Sequence, residues 1–119
     1  MEEFYASIRR GEFKIPICIS CKKNVWPPSQ YCPSCLSRAQ LKSIVNNGTL
    51  LEFTKSHIGN TPIIFGVVEI CGVRLVGRLS PASQEYRSGM KVRMARCGID
   101  TDGNIFYDFE SHVEECAGN

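Results

Sequence analysis

Two Cys-x2-Cys pairs, Cys18 with Cys21 and Cys32 with Cys35, constrain this chain more than any other feature, with only residues 22–31 between them. Two cysteines three apart turn both sulfurs inward over a tight knuckle whose backbone amides disperse thiolate charge, and two knuckles complete a tetrahedron. Pro33 lies inside the second pair and pre-sets φ for that turn. Seven cysteines in all, an odd number, fit poorly with a fully paired disulfide framework, and a reducing compartment favours metal ligation by clustered thiols. The expectation is one structural zinc per chain held by Cys18, Cys21, Cys32 and Cys35. Four sulfur ligands leave no position for a reactive water. A tetrathiolate iron centre is the alternative metal, because sulfur ligation alone does not separate the two.

A chain of 119 residues has room for this small module and a barrel of about 75 residues, not for a large multi-domain enzyme. Residues 2–10 place Phe4, Tyr5 and Ile8 at helical spacing, with acids in the first turn, bases in the last and Gly11 just beyond, which predicts a short amphipathic helix. Residues 36–42 read as a linker or short turn. From Gly48 the pattern changes to strands: 50–55, 63–70, 73–79, 90–96 and 105–110 are rich in β-branched and aromatic residues and separated by turn residues. A short connection between the second and third strands and a longer one between the third and fourth match a five-stranded Greek-key barrel, the OB-fold. The expected class is mainly β: N-terminal helix and zinc ribbon over 1–42, OB-fold barrel over 43–115 and a tail over 116–119. The N-terminus is acidic and lacks the basic and apolar regions of a secretory signal, and no apolar run approaches the length of a membrane span. The expected address is the cytoplasm, with no membrane partner.

The formal charge is +2, unevenly spread. Four thiolates on one zinc add −2, so the loaded protein is near neutral. Bases concentrate at Arg74, Arg78, Arg87, Lys91, Arg93 and Arg96, and acids follow at Asp100, Asp102, Asp108, Glu110, Glu114 and Glu115. One reading has these charges meeting across neighbouring strands. The sharper one makes Arg74, Arg78, Lys91 and Arg93 an anion-binding strip, since Arg74 and Arg78, and Lys91 and Arg93, alternate with apolar residues along their strands. Phe4 and Trp26, the latter followed by Pro27-Pro28, are candidate anchors for another protein, against the simpler account that they pack the ribbon. His57 and His112 have no nucleophile that spacing forces beside them, and no catalytic set emerges. Tyr107 and Phe109 share a face, expected inward. Cys71 and Cys97 read as small buried hydrophobes, and Cys116 as an exposed thiol in the tail.

A helix ending Arg-Arg-Gly-Glu, then Cys-x2-Cys, Pro-Pro, Cys-Pro-x-Cys, then strands with Gly89-Met90-Lys91-Val92 and a terminal Phe-Tyr-x-Phe, resembles the acyl-CoA-associated OB-fold proteins with an N-terminal rubredoxin-like zinc ribbon. The resemblance implies a non-catalytic accessory subunit that binds thiolase-superfamily enzymes. In archaea such subunits bridge an acetoacetyl-CoA thiolase and 3-hydroxy-3-methylglutaryl-CoA synthase, and contact with CoA or acyl-CoA is implied for this chain as well. The family's metal residues fall on Cys18, Cys21, Cys32 and Cys35. The glycine often found after each knuckle is replaced by Lys22 and by Leu36, which is expected to alter the knuckle backbone but not the ligands.

The competing function is a nucleic-acid-binding ribbon and OB module. It calls for a strong basic excess and stacking aromatics on the binding face, and the near-neutral loaded protein offers neither.

Overall fold

The computed structural model describes residues 1–112; the expected tail at 116–119, Cys116 and the end of the 43–115 segment lie outside the described residues. Met1–Val45 with Cys97–Ile105 form one compact unit, and Asn46–Arg96 with residues 106–112 form a second. The described residues are mainly β, with one short helix, a two-stranded sheet and a closed five-stranded barrel. No helix is long and apolar enough to cross a membrane.

In the first unit, helix α1 (Glu2–Arg9) has Glu2 and Glu3 in its first turn and Arg9 in its last, which suits the helix dipole. Gly11 ends it with φ +77, its N–H reaching Ile8 O at 2.8 Å. Eight residues cannot hold a helix in water, so its stability comes from burying Phe4 and Ile8. Strand β1 (Lys14–Cys18) then pairs antiparallel with β2 (Ala39–Ser43), Ile15 opposite Lys42 and Cys18 opposite Ala39. The segment expected to be a linker is therefore partly strand. Its residues, Ala-Gln-Leu-Lys-Ser, carry no strong β signal, and pairing is imposed by the two knuckles that bring β1 and β2 together.

The second unit holds most of the barrel strands. Strands β3 (Asn47–Ile58), β4 (Thr61–Ile70), β5 (Val73–Leu79), β6 (Lys91–Ile99) and β7 (Ile105–Ser111) close in the order β3-β4-β5-β7-β6, and β6 returns to β3 through Gly48 opposite Val92. β5 and β7 are parallel while the β3–β4, β4–β5 and β3–β6 pairs are antiparallel, the topology of an OB-type barrel. The strands lie where the sequence puts them, β5 with the same bounds and the others shifted or extended by one to three residues at their ends. Alternation is strict on β5, where Val73, Leu75, Gly77 and Leu79 point in and Arg74, Val76 and Arg78 point out.

Gly66 on β4 lies opposite Gly77 on β5, and both are buried. A Cβ at Gly66 would come 2.7 Å from Leu50 Cδ1, and one at Gly77 would come 2.5 Å from the Phe109 ring and from Tyr107 O. The paired glycines thus make the space that Leu50 and Phe109 fill, both fully buried. Phe109 points inward as the alternation predicts, with Tyr107 half-buried. The β4–β5 turn, Cys71-Gly72, has both φ values positive, 50 and 81, the geometry of a tight type I′ hairpin. That turn exposes Cys71, contrary to the expectation of a buried thiol, whereas Cys97 is buried as expected.

Candidate metal centre and its surroundings

The first knuckle leaves β1 at Cys18 and the second returns toward β2 at Arg38, so the sheet sets the distance between them. Cys18 N–H donates to Lys23 O at 2.9 Å and Lys22 N–H to Cys18 O at 3.1 Å. In the second knuckle Cys32 N–H donates to Ser37 O and Leu36 N–H to Cys32 O, each at 2.8 Å. The four sulfurs lie within 4.8 Å of one another, with Cys18 and Cys35 Sγ 3.3 Å apart and Cys21 and Cys32 Sγ 3.7 Å apart. Zinc–sulfur bonds of about 2.3 Å in a tetrahedron put neighbouring sulfurs about 3.8 Å apart. The cluster fits one zinc with no ligand missing.

Donors aimed at the sulfurs support the same conclusion. Cys21 N–H points at Cys18 Sγ at 3.4 Å. The Ser37 hydroxyl and amide hold the Cys35 thiol down at about 6, and the amides of Cys35 and Ser34 lower that of Cys32. Cys21 stands at about 11: the Lys23 amide pulls it down, but desolvation and hydrogen bonds to its sulfur neighbours outweigh that pull. Crowded thiols of this kind share protons until a cation replaces them. Cys18 and Cys32 are buried with Val25 and Ala39, while Cys21 and Cys35 sit at the surface. Four protein sulfurs close the coordination sphere, so the site can organise backbone but not activate water.

Both knuckles keep the left-handed backbone despite lacking glycine: Lys22 has φ 65 and Leu36 φ 61. The expected change of knuckle backbone does not occur. The residues bear the strain instead, at roughly 1–2 kcal/mol each.

Phe4 is 1% exposed, its ring edge-on to Trp26 at 5.6 Å and to Phe13 at 6.4 Å, and Phe13 meets Trp26 at 6.0 Å. This aromatic triangle ties α1 to the loop between the knuckles. It takes Phe4 off the accessible surface and leaves Trp26 half-buried. Besides Tyr5 on α1 and Val45, the exposed apolar side chains of this unit are ones that sequence reasoning passed over: Ile19 and Leu36, each next to a zinc ligand, and Tyr31 just before Cys32. The signal available was a leucine at a position where a knuckle wants glycine.

On the barrel, the four bases do not share one strip. Arg74 and Arg78 are on β5, Lys91 and Arg93 on β6, and β7 runs between those strands. Arg93 donates to Glu110, Arg96 pairs with Asp108 at 2.7 Å and stacks over Phe106 at 5.2 Å, Arg74 lies 3.7 Å from Glu69, and Lys91 Nζ donates to Thr49 Oγ1 at 3.2 Å. Basic and acidic segments thus meet across β6 and β7. His57 is exposed near the end of β3. His112, by contrast, lines a cleft of about 360 Å³ together with Lys91, Glu69 and Cys71, a grouping that only the closed barrel brings about.

Residues 6–40 match the family described as "ChsH2, rubredoxin-like zinc ribbon domain". Among solved structures, a chain of the "Ltp2-ChsH2(DUF35) aldolase" is similar at TM-score 0.73 and 22% identity, over 94% of this chain and 94% of that one. A DUF35-family protein of unknown function from Sulfolobus solfataricus is similar at TM-score 0.64 and 12% identity, over 93% of this chain and 84% of that one. Among curated proteins nothing matches significantly. Residues 6–40 are thus similar to the ChsH2 rubredoxin-like zinc-ribbon domain, and the chain as a whole shares the fold of these two DUF35 structures.

Proposed function

We propose that this protein is a non-catalytic accessory subunit that binds a thiolase-superfamily acyl-CoA enzyme, and that it bridges two such enzymes, as the thiolase and 3-hydroxy-3-methylglutaryl-CoA synthase are bridged in the family it resembles. The observation that carries the reading is the ribbon-then-barrel architecture, superimposable over nearly its whole length on a chain of an aldolase named for two components. Residues 1–42 are the ribbon module in this reading and 43–115 the barrel, with CoA reached from the barrel side. The closed sulfur site supports a structural metal, and the ion pairs on β6 and β7 consume cations that a nucleic-acid surface would keep free.

Two measurements test this. Zinc-loaded full-length protein is mixed with purified thiolase-superfamily chains from the same source, and complexes are resolved by size-exclusion chromatography with light scattering. A stoichiometric complex supports the proposal, and its absence across the set overturns it. Separately, the purified chain alone is assayed for thiolysis, aldol cleavage and hydrolysis of acyl-CoA substrates. Turnover abolished by His112→Ala or Cys71→Ser would assign catalysis to the barrel cleft and refute a non-catalytic subunit.

A further inference from the structure

Leu36 combines two costs. Its backbone is left-handed, which glycine tolerates and leucine does not, and its side chain is 76% exposed. Glycine would relieve the strain and remove the wet apolar surface, and a side chain this exposed packs little against its own unit. A strained residue that exposed points to a use outside its own fold. Ile19 and Tyr31, 51% and 56% exposed, share the same end of the ribbon. The backbone of Arg38 joins them: its carbonyl accepts from Ile19 N–H at 3.1 Å, and it forms an isolated antiparallel bridge with Tyr31 just before β2. Leu36 N–H closes the knuckle onto Cys32, the residue after Tyr31. Three apolar side chains thus project from backbone gathered round one sulfur cluster, which zinc would make rigid.

The segment of chain that carries them holds charge of one sign. Between Glu12 and Glu52 the chain holds Lys14, Lys22, Lys23, Arg38 and Lys42 and not one acid. Lys22 is anchored over the first knuckle by its Nζ to Ile19 O at 3.0 Å. Even after the −2 of a zinc tetrathiolate, this segment remains positive. A rigid apolar tip with a basic collar is complementary to an apolar socket with an acidic rim.

From this we infer that the knuckle end of the ribbon, Ile19, Tyr31 and Leu36 within Lys22, Lys23 and Arg38, is the surface that docks into an acid-rimmed apolar socket on the thiolase-superfamily partner. The inference rests on the accessory-subunit reading above. It replaces Phe4 and Trp26 as anchors, since those two rings are occupied with each other and with Phe13. Two of the three tip residues are aliphatic and offer no stacking face, which favours a protein over a single-stranded nucleic acid.

Leu36→Gly separates docking from folding because the two effects have opposite signs. In the zinc-loaded full chain the variant is expected to melt at or above the wild-type temperature with its zinc content unchanged, yet to bind the purified partner at least tenfold more weakly, as for loss of a moderate interface anchor. Ile19→Ser with Leu36→Gly should weaken binding about a hundredfold, and Lys22→Ala with Arg38→Ala should slow association and flatten its salt dependence. Leu36→Gly and the Ile19→Ser, Leu36→Gly pair binding the partner as wild type does would overturn the inference while leaving the accessory-subunit reading standing. If the wild-type protein binds no thiolase-superfamily chain, both fall together. A 30-nucleotide single strand bound as tightly as the partner, and released by Lys22→Ala with Arg38→Ala, would assign the collar to nucleic acid and overturn it too.

Discussion

Replacing Gly77 by alanine tests whether the barrel closes because two glycines face each other. The new Cβ would stand 2.5 Å from Tyr107 O and from Phe109 Cε2, and 2.8 Å from Phe109 Cδ2. Ordinary carbon contacts lie near 3.5–4.0 Å, so the overlap is about 1 Å on two sides at once. The ring has little freedom, since Phe109 is fully buried, and the carbonyl belongs to β7 itself. Overpacking of a closed core costs roughly 1–3 kcal/mol, and contact with backbone as well as a buried ring puts Gly77→Ala at the upper end, about 3 kcal/mol. Gly59→Ala is the control: nothing lies within 4 Å of its Cβ, so only its φ of +62 is penalised, at about 1 kcal/mol. Urea unfolding followed by far-ultraviolet circular dichroism measures both, with zinc content recorded to show the ribbon intact. Gly77→Ala with Phe109→Leu should recover part of the loss, because the ring contact goes and the carbonyl contact stays. If Gly77→Ala proves no worse than Gly59→Ala, the glycine pair does not set the barrel's packing.

Removing the metal with a strong chelator, or making Cys32→Ser, should unfold the ribbon, because structural zinc supplies on the order of 10 kcal/mol; loss of near-ultraviolet dichroism from Trp26 reads it out, and an unchanged signal counts against a structural metal. Ser7→Ala should stabilise the ribbon by about 1 kcal/mol, since the Ser7 hydroxyl is buried with no hydrogen-bond partner among the described residues; a lower melting temperature would show that it has one. Arg96→Ala should cost less than about 1 kcal/mol despite losing Asp108 and Phe106, because the guanidinium is exposed and screened, and a larger loss would mean the pair holds β6 to β7. Arg74→Ala with Arg78→Ala should leave the fold intact, and a tenfold loss of CoA affinity would place the ligand's phosphates on β5.

The metal ligands were legible because their chemistry depends on spacing alone, and the barrel strands because alternation along β4 and β5 is written in Val, Ile, Leu and Phe. The ribbon sheet was not. β1 contains Pro16 and β2 is mostly polar, so neither has the periodicity of a strand, and their pairing is enforced by loops that the metal closes. The anchors were hard to read for a related reason. Helical spacing marks Phe4, Tyr5 and Ile8 as one apolar strip, but it does not tell that Phe4 turns to the chain's own Trp26 and Phe13 while Tyr5 stays exposed. Exposure has to be seen, and it moves attention from Phe4 and Trp26 to Ile19, Tyr31 and Leu36. The charge segregation had two readings of equal sense in one dimension. Only the placement of β7 beside β6 turns the acidic end of the chain into the counter-charge for Arg93 and Arg96.

The strained knuckles connect these points. Two left-handed non-glycine residues cost the ribbon roughly 2–4 kcal/mol together, a sizeable part of what so small a unit could supply from its core. A metal worth several times that amount removes the constraint: with zinc bound, the position after each knuckle no longer needs glycine and is free to carry a side chain chosen for another purpose. Lys22 and Leu36 occupy the two positions so released, one charged and one apolar, each following one knuckle of the same sulfur cluster. It follows that relief of the strain should show most clearly when metal is scarce. Lys22→Gly and Leu36→Gly should each raise zinc affinity severalfold in a chelator competition, in line with about 1 kcal/mol of strain that binding no longer has to overcome. Equal affinities for wild type and both variants would mean that the apo ribbon already holds the left-handed turns, and that the metal is not what sustains them.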